Sequence, residues 1–198
     1  MIKYIIFDLS EVLIAGIIGI EEFLCSKVQT PKDKIVKSFS GEWLKEYLSG
    51  NIDEDLYLSE IIKRENWRVD TEEIKKIIRM NFHKKVDGVL PILERLSGEY
   101  KLVLHSDHSK EWIEYTKSIH PFLNLFEHIF FSYELKMTKH NPEAFRKVIH
   151  SIKAEPEECL LIDDHLKNII NAASIGIHGI QFIDSNQLSE ELIKRNIF

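Results

Sequence analysis

Tyr4-Ile5-Ile6-Phe7-Asp8-Leu9-Ser10 is the stretch on which the fold turns. Its apolar run, rich in isoleucine and closed by polar residues, describes a short strand over residues 2–7 that is buried on both faces, because helical periodicity is absent. A carboxylate at the end of such a strand is aimed by the rigid sheet, while the loop beyond leaves room for a substrate. Asp8 holds that position, and Ser10 follows two residues later. Alone, Asp8 suits better an aspartate that caps the turn after a strand.

Further along, the same texture recurs. Strand-like segments at residues 101–105, 128–132 and 159–162, with a final apolar piece at 179–183, alternate with helical segments at 91–96, 109–118, 141–152 and 166–175. That alternation predicts an α/β fold with a Rossmann-like parallel sheet, covered on both faces and binding ligands outside the carboxyl ends of its strands. Between residues 17 and 85 the pattern is helical throughout, with Ile74, Ile77, Ile78 and Phe82 at helical spacing in its last member. The expected architecture is an α/β core, residues 1–14 and 87–198, interrupted by an all-helical cap over residues 15–86. Trp43, Trp67 and Trp112 read as packing residues, and the isoleucines of 14–20 as filling for the cap's core or as a flap over a site.

Composition narrows the function. A chain of 198 residues with 44% hydrophobic content can bury a sizeable interior. A net charge of −6 argues against a nucleic-acid footprint or an anionic membrane surface, and it suits a cationic cofactor. Two cysteines, Cys25 and Cys159, form neither a disulfide framework nor a short metal-binding spacing, so a reducing cytoplasm is expected. Asp8 and Glu11 interrupt the one apolar stretch that resembles a targeting segment, and no run reaches membrane-spanning length.

Three other polar groups join Asp8. Asp163-Asp164 follows the apolar run Cys159-Leu160-Leu161-Ile162, so both carboxylates should emerge at the sheet edge that carries Asp8. Hard oxygen ligands from two such loops suit Mg²⁺, although an acidic pair also suits the start of the helix that follows. Ser106-Asp107 ends the second strand, where a hydroxyl and free backbone N–H groups can receive phosphate, or where serine simply caps a helix. Lys139 precedes Asn141-Pro142, where its ammonium could hold both a phosphoryl oxygen and the Asp8 carboxylate.

Taken in order, Asp8-Leu9-Ser10, Leu104-His105-Ser106-Asp107, Lys139 with Asn141-Pro142, and Ile162-Asp163-Asp164 with Asn168 resemble the motifs of the haloacid dehalogenase-like superfamily, in the branch whose helical cap lies between the first and second motifs. The resemblance implies Mg²⁺-dependent phosphoryl transfer on a small phosphorylated substrate. It implies Asp8 as nucleophile and metal ligand, the Ser10 carbonyl and Asp164 as further ligands, and Asp163 as a neighbouring or water-mediated one. Asn168 would support them from outside, and Ser106, Asp107 and Lys139 would hold phosphate.

Ser10 departs from the pattern. Most phosphatases of the superfamily carry aspartate there, to protonate the leaving alcohol and later activate water, and serine cannot do either. General acid/base catalysis is worth about 10²–10⁴ in rate. A leaving group of low pKa would need less help; alternatively Glu11, His105, Asp107 or His108 would substitute, or the protein would retain only a binding or regulatory role. A metal-free dehalogenase-like reaction fits less well, because Asp163-Asp164 would only crowd the nucleophile with charge. Glu11 and His140 also stand where glycine and proline are common.

Overall fold

The computed structural model describes residues Met1–Phe198. Five parallel strands form one sheet in the order β3-β2-β1-β4-β5, with β1 Tyr4–Phe7, β2 Lys101–Ser106, β3 His128–Phe131, β4 Cys159–Asp163 and β5 His178–Gln181. The chain builds outward from β1 on one side and then crosses to β4 on the other. Phe7 pairs with Leu104 of β2 and Ile162 of β4, so Asp8 emerges at this reversal of strand order. Crevices at the carboxyl ends of strands beside such a reversal are where open α/β sheets bind ligands.

Alternation along β1 explains why the strand is apolar throughout. Ile5 and Phe7 enter a core of 24 buried residues on one face, which also takes Leu188 and Leu192, whereas Tyr4 and Ile6 enter a core of 12 on the other with Phe145 and Val148. Helices α6 Val89–Ser97 and α11 Ser185–Lys194 cover the first face, and α9 Pro142–Ile152 and α10 Leu166–Ala173 cover the second. Asn141 caps α9 by accepting from the Glu143 N–H, with Pro142 in the first turn, as the sequence predicts.

Between β1 and β2 run α1 Glu21–Val28, α2 Lys32–Ser38, α3 Glu42–Leu48, α4 Glu54–Glu65 and α5 Thr71–Phe82. They share a separate core of 15 buried residues, and Trp112 of α7 Lys110–Ile119 is the one member from beyond the helical segment. The chain enters and leaves this segment along neighbouring paths: Ala15 N–H donates to the Lys84 carbonyl and Val86 N–H to the Leu13 carbonyl. No helix is long and apolar enough to cross a membrane.

A buried charge holds the helical segment to α7. The Glu54 carboxylate accepts from Arg79 at 2.7 and 2.6 Å and from the Trp112 indole N–H at 2.7 Å. Removing one partner of a buried pair leaves the other uncompensated, so Glu54→Ala is expected to lower unfolding stability by about 3–5 kcal/mol in urea titration.

Several local expectations are corrected. The first helix begins at Glu21 rather than near residue 17, because Gly19 lies at φ 103° and the Asn81 amide donates to the Gly16 and Ile18 carbonyls, taking the acceptors a helix would use. The strand expected to reach Ser132 ends at Phe131, and residues Ser132–Leu135 turn into the short helix α8. Helix α11 is not anticipated, although Asp184 caps it and Leu188 and Leu192 stand one turn apart. Trp67 and Trp112 are buried packing residues, whereas Trp43 is exposed.

Candidate active site

Four charged side chains meet at the carboxyl edge of the sheet. Lys139 Nζ lies 2.7 Å from Asp8 Oδ2 and 2.6 Å from Asp163 Oδ2, and all three groups are nearly inaccessible to solvent. Oxygens of Asp8, Asp163 and Asp164 lie within 4.8 Å of one another. Three carboxylates against one ammonium leave excess negative charge in a site removed from water, which a divalent cation on oxygen ligands would offset. Burial, reinforced by Asp163 and Asp164 and opposed by Lys139, pushes the Asp8 carboxyl up to about 7. Burial raises Asp164 too, with Asp163 adding to the effect. Desolvation alone would lower Lys139, but the carboxylates of Asp163, Asp8 and Asp107 outweigh it and hold the ammonium charged.

The surrounding bonds sort these residues. Asp163 is saturated: besides Lys139, it accepts from the His165 backbone N–H at 2.9 Å and from the Asn168 amide at 3.0 and 3.1 Å. Asp164 faces the cavity in front of the sheet edge. Asp107 accepts the Lys139 backbone N–H at 3.0 and 3.1 Å, so its carboxylate fixes the lysine loop. The Asn171 amide donates to the Lys139 and His140 carbonyls and so fixes the same loop, a supporting contact not anticipated from the sequence. Ser106 Oγ is buried with no hydrogen-bond partner within the protein, at the end of the strand that leads to Asp107.

The cavity measures about 660 Å³, within the range of small-molecule sites. Asp8, Ser10, Asp107, Lys139 and Asp164 line its sheet side, and residues of α2 and α3 close it from above. Ile17 and Ile18 lie on its wall as well, while Ile20 fills the helical core, so the isoleucine stretch divides between the two expected roles.

A family model described as haloacid dehalogenase-like hydrolase matches residues 5–182. The chain belongs to the haloacid dehalogenase-like hydrolases. Among solved structures, an enzyme of this family from Bacteroides thetaiotaomicron, crystallised with magnesium and inorganic phosphate, is 25% identical, with TM-score 0.72 over 93% of this chain and 96% of that one. A HAD-like family hydrolase from Porphyromonas gingivalis, 18% identical, superposes with TM-score 0.78 over 100% of this chain and 98% of that one. A 2-haloacid dehalogenase from Pseudomonas syringae, 16% identical, shares the fold with TM-score 0.61 over 98% and 100% of the two chains.

In this hydrolase the four polar residues near Ser10 in the sequence motifs, Glu11, His105, Asp107 and His108, have distinct surroundings. Glu11 accepts from the Gly16 N–H at 2.8 Å and the Ile18 N–H at 3.3 Å, tying down the strap that leads into α1. It adopts φ 61°, the left-handed conformation that glycine takes at no cost. Gly16 is required opposite it, because a Cβ there would lie 2.9 Å from both Glu11 Oε1 and Ser10 Cβ. Asp107 is committed to the Lys139 loop. His105 points away from the cavity, its ring edge-on to Phe145 at 5.1 Å in the opposite core. His108 reaches the cavity, with Nε2 3.2 Å from Ser10 Oγ. Burial, aided by Lys139 and Arg79, pulls its imidazole down to about 3, leaving a neutral and weakly basic ring.

His105 carries a stability prediction. Burial, then Lys139, holds its pKa well below 6.5, so the folded state keeps it neutral while the unfolded chain binds a proton as pH falls below 6.5. Folding stability therefore drops on acidification from pH 6.5, by about 1.4 kcal/mol per pH unit for this residue. His105→Leu is expected to lose that share of the slope, read from urea midpoints across pH 5 to 7.

Proposed function

We propose that the hydrolase is a Mg²⁺-dependent phosphatase of small phosphomonoesters, working through an aspartyl-phosphate on Asp8. The observation that carries this reading is the placement of Asp8: buried, paired to Lys139 at 2.7 Å, beside two further carboxylates, and opening onto a cavity of small-molecule size. Residues 1–14 and 87–198 form the catalytic core in this proposal, and residues 15–86 form the cap that receives the leaving group.

Asp8 attacks phosphorus, and the bond to the leaving oxygen breaks as the new bond forms. Water then opens the aspartyl-phosphate, releasing inorganic phosphate and restoring Asp8. Lys139 holds the nucleophile in place and offsets charge on the phosphoryl oxygens, and the unpartnered Ser106 hydroxyl, with the start of the loop at Asp107, supplies donors. Asp8, Asp164 and the Ser10 carbonyl would hold Mg²⁺, with Asp163 beside it, and the ion would supply charge stabilisation for the transferring group. The magnesium and phosphate found with the Bacteroides enzyme support this assignment.

A second reading, a catalytically weak relative with a binding or regulatory role, draws on Ser10 and on the low basicity of His108 beside it. Phosphate release from a panel of phosphomonoesters and acyl phosphates separates the two. The phosphatase turns over with Mg²⁺ and stops when chelator removes it. Binding of Mg²⁺ and phosphate with no turnover on any member would establish the second reading instead.

A further inference from the structure

The cavity is unequal in its chemistry, and the inequality names a class of leaving group. Its sheet side is charged, as above. Toward the helices it is walled by Ile17, Val36, Leu44 and Leu48, backed by the buried rings of Phe82 and Trp112. Those rings meet edge to face, 5.6 Å apart at 70°. The Trp112 ring is held by its N–H bond to Glu54, so this wall is a fixed surface. The charged side chains that α3 contributes, Glu42 and Lys45, are exposed and paired with each other at 3.0 Å. A polyhydroxylated leaving group placed against the aliphatic wall would lose water from its hydroxyls without gaining partners, whereas an apolar one gains by burial.

Ser10 adds an independent restriction. A serine hydroxyl is not acidic enough to protonate an alkoxide as it departs, so the site favours oxygens that leave readily as anions. We propose, building on the phosphatase reading, that the substrate is a phosphomonoester of a phenol: an aryl phosphate, with its ring against Leu44 and Leu48. Asp8 forms the P–O bond, the aryl C–O bond stays intact, and the P–O(aryl) bond breaks. Phenolate leaves with the electron pair and takes its proton from water.

The test is kcat/KM, which reports the first half-reaction, for phenyl and naphthyl phosphate against hexose, glycerol and hexyl phosphates, with acetyl phosphate as a small reference that needs no ring pocket. Aryl phosphates are expected to exceed the sugar and glycerol esters by about a hundredfold. They are also expected to exceed hexyl phosphate, which matches the wall but leaves as an alkoxide. Leu44→Gln, at a half-buried position in a short helix, is expected to cut the aryl preference over glycerol phosphate about tenfold. Turnover of acetyl phosphate with sugar phosphates equal to aryl ones overturns the substrate class alone, as does hexyl phosphate matching phenyl phosphate. No turnover of acetyl phosphate or of any ester overturns the phosphatase reading and the substrate class with it.

Discussion

Asp8→Asn is expected to abolish phosphate release, by about 10⁴-fold or more, while leaving the protein at least as stable as the parent. The two halves of this expectation come from the same surroundings. An amide is isosteric but does not attack phosphorus, so the first bond-making step is lost. Burial raises the Asp8 carboxyl to about 7, above its unfolded value, so an ionised Asp8 opposes folding at neutral and higher pH. Asparagine removes that opposition and leaves Lys139 paired with Asp163 at 2.6 Å. A thermal melt beside the kinetic assay therefore separates chemistry from folding. Lost activity together with a lowered Tm would mean that Asp8 serves the structure.

Ser10→Asp should act in the opposite direction. If the hydroxyl marks a missing acid and base, a carboxylate there restores protonation of the leaving oxygen and activation of water, raising kcat on alkyl phosphates by about 10²–10⁴. With serine, water attack on the intermediate is also unassisted, so rapid mixing of the parent with a reactive phosphate is expected to show a stoichiometric burst followed by slow turnover. The burst should disappear in Ser10→Asp. The neighbourhood constrains the result: Ser10 Oγ contacts His108, and Gly16 leaves only a narrow gap beside Ser10 Cβ. A fall in turnover without a change in Tm would show that the serine is adapted to its reaction rather than a degenerate residue.

Much of this was legible because the signals were local. An apolar run ending in aspartate is short-range information, and so are the run ending in Asp163-Asp164 and the Asn-Pro start of α9. Their convergence follows once the strands are parallel, since like ends then share one edge. Less legible were consequences of tertiary contact. His105 and His108 look alike in the sequence, yet strand alternation sends one into the far core and the following loop brings the other to Ser10. The delayed start of α1 depends on Asn81, more than sixty residues away, occupying the carbonyls of Gly16 and Ile18. Glu11 likewise looks misplaced until its bonds to the Gly16 and Ile18 N–H groups are seen.

The most direct test of the central claim is to mix the protein with acetyl phosphate carrying labelled phosphorus, quench in acid within the burst, and locate the label by peptide mass spectrometry. One acid-stable, base-labile phosphoryl group is expected on Asp8, formed only with Mg²⁺ and absent from Asp8→Asn. Phosphate released with no label on Asp8, or label formed equally well in chelator, would contradict it.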